Sequence, residues 1–205
     1  AIETCDASLR DAPHNADLWL TKGAVLYALH RFNEAVAAFD RAIVEQPDLT
    51  GVHFHRALAL LTEGRLPEGF AAYEWRRRGD EPVVKVPRFD LPEPSSLDDV
   101  KGKRLMLYRE QGLGDIIQFA RYARVFADQG VKVSVLTYPA LARLLASLGS
   151  DIEIVSDGAM PSVDYAFPLM SAPLLAATTL QTVPAQVPYL RADEALVETW
   201  RARLA

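Results

Sequence analysis

Apolar and small residues recur at helical spacing through roughly the first eighty positions, and then the period changes. In the first stretch Trp19, Gly23, Ala35, Phe39, Ala42 and Pro47 follow one another as bulky, small, small, bulky, small and helix-stopping residues. That order is the one expected of a 34-residue repeat in which each unit is an antiparallel pair of helices. The frame extends both ways. Ala1, Cys5, Ser8 and Pro13 lie 34 residues before Ala35, Phe39, Ala42 and Pro47, and His53, Ala57, Gly69 and Tyr73 lie 34 after Trp19, Gly23, Ala35 and Phe39. The pattern predicts about two and a half repeats over residues 1–78. Its departures are Lys22 and Arg56 where a leucine is usual and Arg76 where a small residue is usual. The triplet Arg76, Arg77 and Arg78 reads as a solvated helix end whose charge suits a helix C-terminus.

Such an array presents a concave face to extended peptides. Leu20, Tyr27, Phe54 and Leu58 are the candidates to line it and hold a protein or peptide partner, with inter-repeat packing as the competing role. The first repeat lacks its leading helix, and the chain opens on Ala1 rather than methionine, so the array is expected to continue upstream. The edge it leaves around Ile2 and Leu9 is expected to self-associate or to be covered by another segment.

Between Gly79 and Lys103 the helical period stops, and Pro82, Pro87, Pro92 and Pro94 mark residues 79–99 as a linker stiff enough to wrap across a surface. Beyond it short apolar runs alternate with helical patterns. Strands are predicted at Leu105–Tyr108, Val131–Leu136, Ile152–Val155 and Tyr165–Pro168. Helices are predicted after Gly114 and at Pro139–Leu148, Ser171–Ala177 and Glu194–Leu204. This is the alternation of a parallel sheet covered on both faces. The fold class is therefore α plus α/β: helical hairpins over 1–78, then a Rossmann-like unit over 100–205.

Ligands of such sheets bind at the carboxyl ends of the strands, which puts the turn Gln111-Gly112-Leu113-Gly114 at the expected site, flanked by Tyr138 and Ser171 at later strand ends. Glycines let a ligand approach the backbone, and the following helix offers free N–H groups. The turn lacks a third glycine, and the second strand ends in Leu136-Thr137-Tyr138 with no carboxylate to hold a ribose, which disfavours a nicotinamide cofactor. No Gly-Lys-Ser/Thr phosphate loop is present. Asp115 has two readings, a helix N-cap whose box is completed by Gln118, or a carboxylate that accepts a proton from a sugar hydroxyl.

Composition narrows the partners. The 205 residues carry 22 basic and 27 acidic side chains, a net charge of −5 with no strong basic patch, which excludes nucleic acid as an expected partner. No apolar run reaches the length of a membrane span and no signal segment opens the chain, so a cytoplasmic protein is expected. Cys5 is the lone cysteine. His53 and His55, two apart on a helix, face different ways and make a poor metal pair, and residues 56–205 contain no histidine. No metal site is expected.

The run Glu110-Gln111-Gly112-Leu113-Gly114-Asp115-Ile116-Ile117-Gln118-Phe119-Ala120-Arg121-Tyr122 resembles the signature of bacterial tetratricopeptide proteins bearing a glycosyltransferase-like domain, related to heptosyltransferases and more distantly to O-linked N-acetylglucosamine transferases. Pro168-Leu169-Met170-Ser171, Thr182-Val183-Pro184-Ala185 and Val187-Pro188-Tyr189-Leu190 extend the resemblance over most of residues 100–205. It implies the acceptor-binding half of a two-part, GT-B-type enzyme that takes a nucleotide-sugar donor and a glycan or protein acceptor. The family's catalytic carboxylate falls on Asp115. About 105 residues after the linker suffice for one such half and not for two. A single half holds no cofactor of its own and is expected to be inactive alone. The alternative is a non-catalytic tetratricopeptide scaffold or adaptor. An open cleft at Gly112–Asp115 favours the enzyme, and a loop plugged by the proline-rich segment favours the scaffold.

Overall fold

The computed structural model describes residues 1–79, 82–157 and 160–205. It divides into two compact units, Ala1–Lys85 with Thr178–Gln181, and Val86–Ala177 with Thr182–Ala205.

The first unit is helical: α1 (Ile2–Asp11), α2 (Ala16–Ala28), α3 (Phe32–Glu45), α4 (Thr50–Thr62) and α5 (Leu66–Tyr73), closed by a 3-10 turn at Glu74–Arg77. Each helix packs against the next in sequence. Leu26, Ala35, Phe39, Ala42, Val52 and Leu60 form the buried centre. Phe39 is fully buried because Gly23 makes room: a Cβ at Gly23 would stand 2.4 Å from its ring. Ile2 packs against this core and is half-buried, and Leu9 is buried.

The 34-residue period reappears in contacts that the apolar pattern does not encode. Arg31 N–H donates to the Leu26 carbonyl and Arg65 N–H to that of Leu60, at 2.9 and 3.0 Å. The residues just before them, His30 and Gly64, both have left-handed backbones, φ 58° and 82°. Arg31 pairs with Glu34 and Arg65 with Glu68, both at 2.6 Å, and each arginine holds its glutamate's carboxyl below the ordinary range. Lys22 meets Asp6 at 2.6 Å and Arg56 meets Asp40 at 2.5 Å, again 34 residues apart. The two cations that break the apolar pattern thus replace one packing contact with one ion pair in each frame.

Arg76 corrects the reading of its triplet as a solvated end. It is fully buried, stacks over the Tyr73 ring at 4.6 Å and donates to the Tyr73 carbonyl and to Glu74, itself buried, at 2.9 Å. An unpaired guanidinium would not survive there, and the adjacent carboxylate compensates its desolvation. Arg77 donates to the other Glu74 oxygen, and only Arg78 of the three is exposed.

The second unit is built on a four-stranded parallel sheet, β1 (Arg104–Tyr108), β2 (Lys132–Leu136), β3 (Glu153–Val155) and β4 (Tyr165–Pro168), in the order β3-β2-β1-β4. After a short helix α6 (Leu97–Val100), the strands alternate with α7 (Leu113–Phe119), α8 (Arg121–Ala127), α9 (Pro139–Leu145) and α10 (Ala172–Leu175), and α11 (Glu194–Leu204) ends the chain. The helix expected over Ser171–Ala177 is shorter, because a 3-10 turn occupies Leu169–Ser171 and Ala177 takes a positive φ.

Alternation along β1 sends Leu105 and Leu107 into a core with Ile116, Phe126, Leu145 and Phe167, and sends Met106 and Tyr108 to the other face. On that second face part of the proline-rich segment packs. Val86, Phe89 and Leu91 pack on Met106, Tyr108 and Ala166, the rings of Phe89 and Tyr108 lie 4.9 Å apart, and the Pro92 carbonyl accepts from Ala166 N–H.

Candidate functional site

In the order β3-β2-β1-β4 the chain moves from β1 to β2 and β3 on one side and returns to the other side with β4. Strand β4 lies on the opposite side of β1 from β2, and in an open parallel sheet the crevice where the strand order reverses is where ligands bind. The segments that meet at this edge are Arg109–Gly112, Thr137–Tyr138 and Leu169–Ser171.

Gly112 is the residue that precedes α7, with φ −68° and ψ 169°, and Asp115 is the third residue of the helix. This moves the cap from where Asp115 alone suggested it. The Asp115 carboxylate folds back and accepts the Gly112 N–H at 3.1 Å, so it satisfies one orphan donor from inside the first turn. Its second oxygen takes no protein hydrogen bond among the described residues. Gly112, Leu113 and Gly114 are exposed and Asp115 is half-buried. Neither glycine has a positive φ. A Cβ at Gly114 would meet nothing within 4 Å, and one at Gly112 would meet only Asp115. The two glycines are thus required neither by the backbone nor by packing, and what they provide is open space above the loop.

Gln111 is half-buried beside this opening and Tyr138 is 37% exposed. Ser171 is buried at 1% exposure, so its hydroxyl belongs to the wall beneath the edge rather than to the surface.

Two side chains that were not singled out from the sequence tie the edge together. The Glu110 Oε1 accepts the Met170 N–H at 3.0 Å and joins the loop after β1 to the turn after β4, across the switch point. Arg109 donates from Nη1 to the Thr137 carbonyl at 3.0 Å and stacks on the Tyr138 ring at 4.2 Å, joining β1 to β2. The Thr137 hydroxyl is fully buried and has no hydrogen-bond partner among the described residues. Farther along, Arg121 stacks on Tyr189 at 4.1 Å and donates to the Pro184 carbonyl, while Tyr189 Oη donates to the Ile117 carbonyl, which fastens the segment after Thr182 over α7 and α8. The clue to Arg109 and Glu110 was their place directly before the glycines, but their partners lie 28 and 60 residues away.

On the helical unit, Leu20, Tyr27, Phe54 and Leu58 are all half-buried on α2 and α4. Leu20 and Tyr27 pack on the helical core, and Phe54 lies 5.7 Å from Tyr73. Leu20 and Phe54 are 34 residues apart, and Tyr27 Oη meets Thr62 Oγ1 at 3.3 Å, linking the two helices. These side chains combine inter-helix packing with partial exposure. Among the described residues no group of three His, Cys, Asp or Glu side chains gathers in a way that could hold a metal ion. No described helix is long and apolar enough to cross a membrane.

No known protein-family profile matches the chain. Protein FlbA of Caulobacter vibrioides is 31% identical over an alignment that covers 58% of this chain and 26% of that protein, so the chain spans about a quarter of the curated relative it matches. Among solved structures, an O-GlcNAc transferase variant of Thermobaculum terrenum aligns with 77% of this chain and 37% of its own at 15% identity, with a TM-score of 0.34.

Proposed function

We propose that residues 1–78 are a tetratricopeptide module and that the parallel-sheet unit is the Rossmann-like, acceptor-binding half of a nucleotide-sugar-dependent glycosyltransferase. The observation that carries this reading is the open Gly112–Gly114 turn at the switch point, with an under-used carboxylate beside it. The proline-rich segment lies against the Met106 and Tyr108 face, and nothing crowds a Cβ at Gly114. The open space at Gly114 supports the enzyme reading over the scaffold one.

In this reading Asp115 takes the proton from an acceptor hydroxyl. The hydroxyl oxygen forms a bond to the anomeric carbon of the donor sugar, the bond from that carbon to the diphosphate breaks, and the nucleoside diphosphate leaves with the electron pair. Gln111, Gly112, Leu113 and Gly114 line the acceptor, Tyr138 forms one wall, and buried Ser171 supports the opposite one. Glu110 and Arg109 keep the three strand ends in register, so that Asp115 stands at a fixed distance from the acceptor. The helical face around Leu20, Tyr27, Phe54 and Leu58 recruits a protein or peptide partner. The donor pocket lies outside this unit.

The test is an amide chemical-shift titration of the chain. Mono- and oligosaccharide acceptors should move the Gly112, Leu113 and Gly114 signals, and nucleotide-diphosphate sugars should move none at about millimolar concentration, the weak limit of specific recognition. Saturable nucleotide-sugar binding, or a response confined to α2 and α4, would overturn the assignment in favour of a different site or of the adaptor.

A further inference from the structure

Helix α11 has no buried residue, although it carries Leu196, Val197, Trp200 and Leu204, which are 42, 38, 54 and 82% exposed. At 3.6 residues per turn these four fall within an arc of about 100°, the width of a buried stripe. The stripe continues onto α9 as a groove of about 610 Å³ lined by Leu144, Arg143, Leu196, Val197, Trp200 and Leu204. Two polar ties hold α11 in place beside it. Asp193 accepts from Arg143 at 2.7 Å and from the Leu196 N–H at 3.1 Å, and Arg191 N–H donates to Ser147 Oγ. The helix is positioned, and its apolar face is left bare.

The charges beside the stripe indicate what covers it. Glu194, Glu198 and Arg201 lie within about 60° of one another on one flank, with the acids toward the N-terminal end and the arginine toward the C-terminal end. A two-fold axis perpendicular to a pair of antiparallel helices brings each flank against the same flank reversed. Arg201 of each copy then faces the Glu194 and Glu198 of the other, and the Arg201–Glu198 pair within each exposed helix is exchanged for pairs between copies.

We propose that this face is a self-association surface, on which a second copy of the chain lays its α11 antiparallel over the first. Trp200, which contacts Arg203 over its ring at 5.2 Å, is the central anchor. A Trp side chain carries on the order of 150–250 Å² and three partly exposed aliphatic residues add a similar area. The two copies together therefore fall below the roughly 1,200–2,000 Å² of stable interfaces, and the dimer is a weak, concentration-dependent one.

Sedimentation velocity between about 10 and 500 μM, a range that brackets weak association, tests this with three chains: the native one, Glu194→Arg with Glu198→Arg, and Arg201→Glu. The native chain should dimerise as concentration rises. Each variant alone, with like charges facing, should lose affinity by about tenfold or more, and an equimolar mixture of the two should recover it as a heterodimer. Trp200→Glu should abolish association with an unchanged circular dichroism spectrum. A native chain that stays monomeric at the highest concentration overturns the proposal, as does a dimer indifferent to these substitutions or a mixture that does not recover.

Discussion

Replacing Gly114 by alanine separates what the loop needs to fold from what it needs to work. Gly114 is the second residue of α7, its φ is not positive, and an added Cβ would meet nothing within 4 Å. The substitution therefore introduces neither strain nor a clash. Alanine is favoured over glycine by about 0.8–1.0 kcal/mol within a helix, and restricting the unfolded chain contributes about 0.4–1 kcal/mol of much the same origin. At the first turn only part of this is realised, so Gly114→Ala should stabilise the sheet unit by about 0.5–1 kcal/mol. That corresponds to a rise in Tm of about 2–6 °C for a domain of this size. Urea denaturation followed by circular dichroism measures the first quantity, and the acceptor titration supplies the second readout. The methyl group would enter the opening above the loop, so acceptor-induced shifts at Gly112 and Leu113 should weaken. Destabilisation would show that the loop requires glycine for its fold. A more stable variant that binds acceptor as well as the native chain would show that the open space serves no ligand.

Gly23→Ala supplies the opposite sign: its Cβ would lie 2.4 Å from fully buried Phe39, so overpacking should cost about 1–3 kcal/mol in the same urea assay. The Asp164 carboxyl accepts from the guanidinium and backbone N–H of Arg104, which hold it below its ordinary value near 3.8. Because the folded value is the lower one, this contribution is complete above the unfolded value and fades as pH falls through the folded value; Asp164→Asn should flatten that part of the acid unfolding profile, and an unchanged profile would contradict it. Glu110→Gln keeps an oxygen for the Met170 N–H at 3.0 Å, whereas Glu110→Ala leaves that donor without it, so Ala should cost about 1–3 kcal/mol and Gln much less in paired thermal melts.

The parallel sheet was legible because the apolar period changes from helical to short runs after Lys103, and the four predicted strands fall within a residue or two of those formed. The Gly112–Asp115 loop was legible because glycines beside a strand end mark a turn whatever the tertiary setting. The cover on the second sheet face was not, since Val86, Phe89 and Leu91 are spaced among prolines and read as a linker until a sheet lies under them. Burial of Arg76 was hidden in a basic triplet, because the compensating Glu74 becomes a partner only when the turn folds the two together. The tie from Glu110 to Met170 spans 60 residues, and periodicity carries no information about contacts at that range. Residue type left Asp115 two readings, a helix cap or a proton-accepting carboxylate; it does cap, but from the third helical position with Gly112 N–H as donor, which leaves one oxygen for another partner.

In the proposed reaction Asp115 is the group that accepts the proton. Asparagine keeps an oxygen that can accept the Gly112 N–H and should therefore preserve the fold, with a melting curve close to that of the native chain. It cannot take a proton from a hydroxyl. The decisive measurement is nucleotide-sugar turnover of Asp115→Asn in the full-length natural protein, alongside thermal melting. The variant should fold, and its rate should fall by about 100- to 10,000-fold, the span of general-base removal. A folded Asn variant that turns over donor at the native rate, or a native protein that turns over none, would contradict this role.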